Sequence, residues 1–249
     1  MSAATFLADP NLLQGVAVGD TVSLDADIAH HIHVARIRET ESIDVVNGHG
    51  LRATGTVSGH RFHIQSLQQE APAPLEIAVA QALIKGDRLE RAVEMMTEIG
   101  VSRFIPWQAE HSVVVWSAEK AQRNRGKWVN LVHAATEQSR RSFTPEVDPC
   151  VSTHQLCALF PEFDQVLILE ESGGLPGASI PRGKILVVVG PEGGISPGER
   201  AAFAAGANVT SLTLGSAVLR SATAGVVATT YLWTRSGVWD TSAPSTVEG

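Results

Sequence analysis

Two segments hold the residues best suited to chemistry, and each has the form of a strand, a glycine-bearing loop and a helix start. The first is Ile185-Leu186-Val187-Val188-Val189-Gly190-Pro191-Glu192-Gly193-Gly194-Ile195-Ser196-Pro197-Gly198-Glu199. Its opening apolar run suits a strand buried on both faces. Ser196, Pro197 and Glu199 fit the cap, first-turn and capping-box positions of the helix that follows. Gly190, Gly193 and Gly194 allow close backbone approach, and loops at the carboxyl ends of such strands are where open α/β sheets bind ligands. A plain strand-to-helix turn has the same local signature. The spacing is neither the GxxxxGK[ST] phosphate loop nor the GxGxxG dinucleotide fingerprint, so ATP hydrolysis and hydride transfer are unsupported. The second segment is Leu212-Thr213-Leu214-Gly215-Ser216-Ala217-Val218-Leu219-Arg220-Ser221-Ala222-Thr223-Ala224, with Arg220 between a loop and a small-residue helix. A guanidinium there suits a phosphate or a carboxylate; a surface arginine without a ligand reads the same way.

The elements that must position these loops alternate in type. Leu75–Ala82 is an apolar strand, and 87–100 a helix with Leu89, Val93, Met96 and Ile99 on one face. A strand at 103–106, a long helix over 118–139 and strands at 166–169 and 185–189 follow. A helix over 197–205, a strand over 209–214 and a closing helix over 221–233 complete the series, which predicts a parallel α/β domain. Before it, short strands are expected at 16–18, 21–24, 42–46, 51–57 and 61–67, with a helix over 27–37 capped by Asp27 and a hairpin turn at Asn47-Gly48. That spacing suggests a small β-barrel. The Pro-bearing run 70–74 marks a boundary, giving domains 1–72 and 73–249.

The formal charge of −7 over 249 residues argues against coating nucleic acid by bulk charge, though not against a local basic patch. Cys150 and Cys157 form no CxxC pair and read as reduced thiols. The first ten residues carry no basic and apolar leader, and the apolar runs are far below the roughly 20 residues a bilayer span needs, so a cytoplasmic protein is expected.

Taken together, Val188-Val189-Gly190-Pro191-Glu192-Gly193-Gly194 and Leu214-Gly215-x-x-Val218-Leu219-Arg220-x-x-Thr223-Ala224 resemble the 16S ribosomal RNA uridine-N3 methyltransferases, of the SPOUT class. The resemblance extends over nearly the whole chain. It includes Lys85-Gly86-Asp87-Arg88-Leu89-Glu90, Thr97-Glu98-Ile99-Gly100-Val101, Glu110-x-Ser112-Val113 and Glu137-Gln138-Ser139-x-Arg141. In the first domain, His31-Ile32, Arg36-Ile37-Arg38 and Asn47-Gly48 fit as well. The resemblance implies an α/β trefoil-knot methyltransferase domain preceded by a small PUA-like β-barrel. It implies S-adenosylmethionine held bent among three loops: one after Leu169-Glu170, one at Gly190, Pro191, Glu192, Gly193 and Gly194, and one at Leu214, Gly215, Val218 and Leu219. It also implies a homodimer through the knot domain, with 16S ribosomal RNA of the small subunit as substrate. The chain departs from the family pattern at Ala217 and His111, where arginine is usual, at Ala222, where glutamate is usual, and at Met96, where lysine is common.

Methylation of uridine N3 requires loss of a weakly acidic imide proton and alignment of the nitrogen with a methyl carbon. Arg220 is assigned the cationic role, and Glu192 is either the base or a loop-shaping residue. N3 lies on the Watson–Crick edge, so the target must be unpaired or flipped out. Phosphate anchors are expected among Arg36, Arg38, Lys85, Arg88, Arg123, Arg125, Arg140 and Arg141; a merely solvated helix face explains the densest stretch, Lys120, Arg123, Arg125, Lys127, Arg140 and Arg141, equally well. His30, His31 and His33 have no carboxylate or cysteine at ligand spacing, so no metal is expected, and no membrane partner is expected either. Two rival readings are a knotted ribose 2′-OH methyltransferase and an RNA-binding assembly factor without chemistry. The PUA-like domain and the Glu137–Arg141 segment oppose the first; Ala217 and Ala222 are the support for the second.

Overall fold

The computed structural model describes residues 3–174 and 182–238. The chain divides into two compact units, residues up to Pro72 with Val132–Thr144, and Ala73–Leu131 with the described residues from Pro145 onward. The segment 132–144 therefore leaves the second stretch of sequence and joins the first unit, an arrangement that a single cut at residue 72 does not express.

The first unit contains β1 (Ala4–Leu7), β2 (Thr21–Ser23), α1 (Ala26–Val34), β3 (Ser42–Val46), β4 (Leu51–Ser58) and β5 (Arg61–Gln69). They form one sheet in the order β1-β3-β4-β5-β2, with β1 parallel to β3 and the other pairs antiparallel. Alternate residues of β4 and β5 turn inward, so Ala53, Val57, Phe62 and Ile64 join Phe6, Ile43 and Val45 in the core. The α1 cap is Asp25, whose Oδ1 accepts the Ile28 N–H at 2.8 Å, two residues ahead of the expected Asp27. Residues 16–18 are not a strand, because Asp20 Oδ2 takes the Ala17 N–H at 2.8 Å and folds the segment into a turn.

Segment 132–144 is fastened to this sheet by polar contacts. Glu137 Oε1 accepts the Leu7 N–H of β1 at 2.8 Å. Arg52 pairs with Asp44 at 2.9 Å and Glu70 at 3.1 Å, and donates to the Arg140 carbonyl and the Ser142 hydroxyl, both at 2.8 Å. The Ser142 carbonyl accepts the Gly50 N–H at 2.9 Å. Glu137 and its neighbours thus have a structural task in this unit.

The second unit contains β6 (Leu75–Ala82), α2 (Arg88–Ile99), β7 (Arg103–Gln108), most of α3 (Ala118–Gln138), β8 (Glu146–Val147), β9 (Val151–Ser152) and α4 (Thr153–Leu159). It continues through β10 (Gln165–Gly174), β11 (Gly183–Val189), α5 (Pro197–Ala204), β12 (Val209–Leu212) and α6 (Ser221–Ser236). The sheet order is β12-β10-β11-β6-β7-β8, with β9 beside β7, and every pair is parallel. Ile185 through Val189 are almost fully buried, as a central strand covered on both faces requires. Leu89, Ala92, Val93 and Met96 are the buried stripe of α2, which packs against α6. Gly225 of α6 permits that approach, since a Cβ there would lie 2.7 Å from Met96 Sδ. Among the described residues, no helix is long and apolar enough to cross a membrane.

Both cysteines are half-buried, and burial pushes each thiol above its ordinary pKa. The thiolate is the nucleophile, so both are expected to react with a disulfide reagent at pH 8 at roughly a tenth or less of their rate in denaturant. Native labelling as fast as in the denatured chain would contradict this.

Candidate active site

Strands β12, β10 and β11 are neighbours and parallel, so their carboxyl ends share one edge of the sheet. The two glycine-bearing loops singled out in the sequence follow β11 and β12, and so leave from that edge. The loop expected after Leu169-Glu170 differs. β10 continues to Gly174, with an irregularity between Leu169 and Gly174, and residues 175–181 lie outside the described residues. Leu169 is inside the strand, in register with Leu212. Glu170 is occupied, its carboxylate pairing with Arg200 at 2.7 Å and accepting from the Ser211 hydroxyl at 2.9 Å.

After β11 the chain makes a tight turn in which the Gly194 N–H donates to the Pro191 carbonyl at 2.9 Å, with Gly194 at φ 74°. Gly190 admits no side chain, because a Cβ there would stand 2.9 Å from Ile195 Cγ1. Pro191 and Ile195 are buried, whereas Glu192 points its carboxylate to solvent at the tip of the turn. Ser196 and Glu199 form the expected capping box at the start of α5.

Glu199 does more than cap. It is 5% exposed, and its Oε1 accepts from the Glu110 N–H and the Thr153 hydroxyl, each at 2.8 Å. Its Oε2 accepts the Ser196 N–H at 3.0 Å. A buried carboxylate is tolerated here because it has these donors and stands in the first turn of α5, where the helix dipole favours negative charge.

After β12, Leu214 is half-buried, Gly215 takes φ 100°, and no atom lies within 4 Å of where a Cβ would be. Val218 is 73% exposed and Leu219 half-buried, leaving apolar surface beside open backbone. Arg220 is the N-cap of α6, with φ −63° and ψ 148°, and its carbonyl accepts the Thr223 and Ala224 N–H groups at 2.8 and 2.9 Å. Its side chain is exposed and makes no capping bond. The next residue, Ser221, accepts from Gln81 Nε2 at 2.9 Å. Gln81 is fully buried near the end of β6, in register with Val189 of β11. It joins the first turn of α6 to the centre of the sheet. Sequence reasoning missed this residue, although an amide closing an apolar strand run is a visible signal.

The basic candidates fall into two groups. Arg36, Arg38, Lys85, Arg88, Arg123, Arg125 and Arg140 are exposed, with Arg38 3.7 Å from Glu41. Arg125 Nε donates to the Val147 carbonyl at 2.8 Å, and burial pulls the Arg141 guanidinium down to about 10. Arg141 stays charged at neutral pH but is withdrawn from the surface.

The arrangement offers backbone donors and acceptors, apolar surface and the exposed Arg220 guanidinium along a single sheet edge. A family model described as RNA methyltransferase domain matches residues 71–233. The ribosomal RNA small subunit methyltransferase E of Mycobacterium tuberculosis is 34% identical over 238 residues, covering 90% of each chain. That of Bacillus subtilis is 31% identical, covering 85% of this chain and 89% of its own. The crystal structure of a ribosomal RNA small subunit methyltransferase E from Neisseria gonorrhoeae bound to S-adenosyl methionine has a TM-score of 0.81 and 30% identity, covering 94% of this chain and 98% of that one. By domain match, by identity over most of its length and by fold, this chain belongs to the ribosomal RNA small subunit methyltransferase E family of RNA methyltransferases.

Proposed function

We propose that the chain transfers the methyl group of S-adenosylmethionine to N3 of a uridine in 16S ribosomal RNA of the small subunit. The observation that carries this reading is that the Gly190–Gly194 loop and the Leu214–Leu219 loop, which ends at Arg220, leave from the same carboxyl edge of three parallel strands. The Neisseria gonorrhoeae relative is bound to this cofactor, and the residues present here fit it. Gly194 and Gly215 leave open space where side chains would stand, and Val218 offers exposed apolar surface. Backbone groups of 190–194 and the side chains of Leu214, Val218 and Leu219 would hold the adenosyl part, with Leu169 of β10 completing the enclosure.

When bound, the cofactor supplies an electrophilic methyl group on a sulfonium. This chain's residues orient the uracil and balance its charge. Loss of the N3 proton, to water or to Glu192, leaves negative charge on the flanking carbonyl oxygens, and Arg220 stabilises it as it develops. Glu192, exposed at the tip of its turn, is assigned to shaping the loop, with proton acceptance as the competing role.

The finer architecture belongs to the same proposal. β12 lies at the sheet edge, yet α6 packs back on β11 and β6, the path a trefoil-knotted connection would take. The sheet of the first unit is assigned to a PUA-like barrel, and the knot domain to a homodimer.

Purified protein with S-adenosylmethionine is expected to place 3-methyluridine in small subunits from cells lacking the gene, read by mass spectrometry of digested RNA. A methyl group on ribose, or none despite cofactor binding, would overturn the proposal. The exposed cations give a second test. Arg123→Ala is expected to weaken small-subunit binding, to lower the salt slope by about one unit, and to leave cofactor affinity unchanged. An unaltered salt slope would remove Arg123 from the RNA contact.

A further inference from the structure

The Gly190–Gly194 loop is held from outside by a residue that faces its backbone. His111 Nδ1 lies 3.0 Å from the Gly193 carbonyl oxygen and 3.2 Å from that of Gly194. Carbonyl oxygens only accept, so Nδ1 carries a hydrogen and shares it between them. The approach is close: a Cβ on Gly193 would stand 2.9 Å from His111 Cβ and 3.2 Å from the His111 carbonyl oxygen. Gly193 therefore lacks a side chain to admit this histidine.

His111 is itself anchored. It sits in a turn closed by the Ser112 N–H on the Ala109 carbonyl at 3.1 Å. The preceding residue, Glu110, donates its N–H to Glu199 at 2.8 Å. Glu199 also holds the Ser196 N–H at 3.0 Å, two residues beyond Gly194. The contacts make a closed ring through Gly193, Gly194, Ser196, Glu199, Glu110 and His111. Fixing two adjacent carbonyls sets the peptide planes of the loop before any ligand arrives, which lowers the ordering cost of binding.

We propose that His111 is a positioning residue for the cofactor: its Nδ1–H holds the Gly193 and Gly194 carbonyls and pre-organises the loop that receives S-adenosylmethionine. This rests on the reading that the 190–194 loop binds the cofactor. His111 is exposed and lies outside any helix or strand, so its replacement leaves the core intact.

The test measures the Kd for S-adenosylmethionine by calorimetry and amide exchange of residues 190–196 in the cofactor-free protein. His111→Ala is expected to raise Kd roughly tenfold and to speed exchange, with kcat at saturating cofactor within about twofold. Asparagine places an amide N–H near the position of Nδ1, and glutamine near that of Nε2. His111→Asn is therefore expected to restore most of the affinity, and His111→Gln is not. An unchanged Kd in His111→Ala, or equal rescue by both amides, overturns the inference. Gly193→Ala separates the two layers of the argument. If it weakens binding while His111→Ala does not, the loop still binds the cofactor and only the role of His111 falls. If neither changes Kd while the parent protein binds, the assignment of the loop falls too.

Discussion

Arg220→Ala is expected to lower methyl transfer at saturating cofactor by roughly 10²–10³-fold, the loss typical of removing one preorganised group that meets developing charge. The Kd for S-adenosylmethionine should stay within about twofold. Arg220 has an extended ψ of 148° and closes the first turn of α6 through its carbonyl, so its Cα is fixed by two hydrogen bonds. Gln81 holds the next residue, Ser221, to the sheet at 2.9 Å, which fixes the same turn from its other side. The guanidinium is then displayed from a rigid base and is not used for capping. Its charge adds to the positive end of the α6 dipole, which favours a negative oxygen in the same place. These forces act on a charge present in the transition state and weak in the ground state, so the loss belongs in kcat. Arg220→Lys keeps the charge but loses the planar fork, and should recover only part of the rate. Full turnover in Arg220→Ala with the cofactor bound would exclude the role.

The parts of this site that were legible in sequence are those whose determinants are local. The 190–194 loop, the Ser196–Glu199 capping box and the position of Arg220 at a helix start each follow from a few adjacent residues, and the structure places them as read. What was not legible depends on partners far along the chain. The apolar run 166–169 predicts a strand that stops at Leu169. The strand continues because β12 supplies Ser211 and α5 supplies Arg200 to neutralise Glu170, and Thr213 donates its hydroxyl to the Glu170 and Gly173 carbonyls at 3.0 and 2.7 Å. Residues 132–139 read as the end of one long helix. The attachment of segment 132–144 to the first unit comes from Glu137 meeting Leu7 and from Ser142 and Arg140 meeting Arg52, pairs with no sequence pattern. β8 and β9, at two residues each, are too short to show a period. The task of His111 was equally hidden, since an imidazole in a loop carries no local mark of two carbonyls about eighty residues away.

Glu199→Ala is expected to cost about 3–5 kcal/mol of stability and roughly 10 °C or more in Tm, a large effect for a residue whose sequence signature is a helix cap. An exposed capping-box glutamate would be worth about 1 kcal/mol. Glu199 is 5% exposed and receives the Glu110 N–H, the Ser196 N–H and the Thr153 hydroxyl. Truncation leaves two backbone donors and a hydroxyl without an acceptor, and each buried orphan costs about 1–3 kcal/mol, reduced where water can enter beside half-exposed Thr153. Glu199→Gln should fall between. Its amide oxygen can still accept at one side, but its NH2 then faces an N–H donor at the other, so about half the loss is expected. The two variants also separate stability from function. At a temperature where both remain folded, Glu199→Ala loses the acceptor for Glu110 and so frees the turn that carries His111, and cofactor affinity should fall with it. A Tm within about 2 °C of the parent would mean that water replaces the carboxylate at little cost. An unchanged Kd alongside a large fall in Tm would mean that the 190–194 loop keeps its shape without the ring that now closes around it.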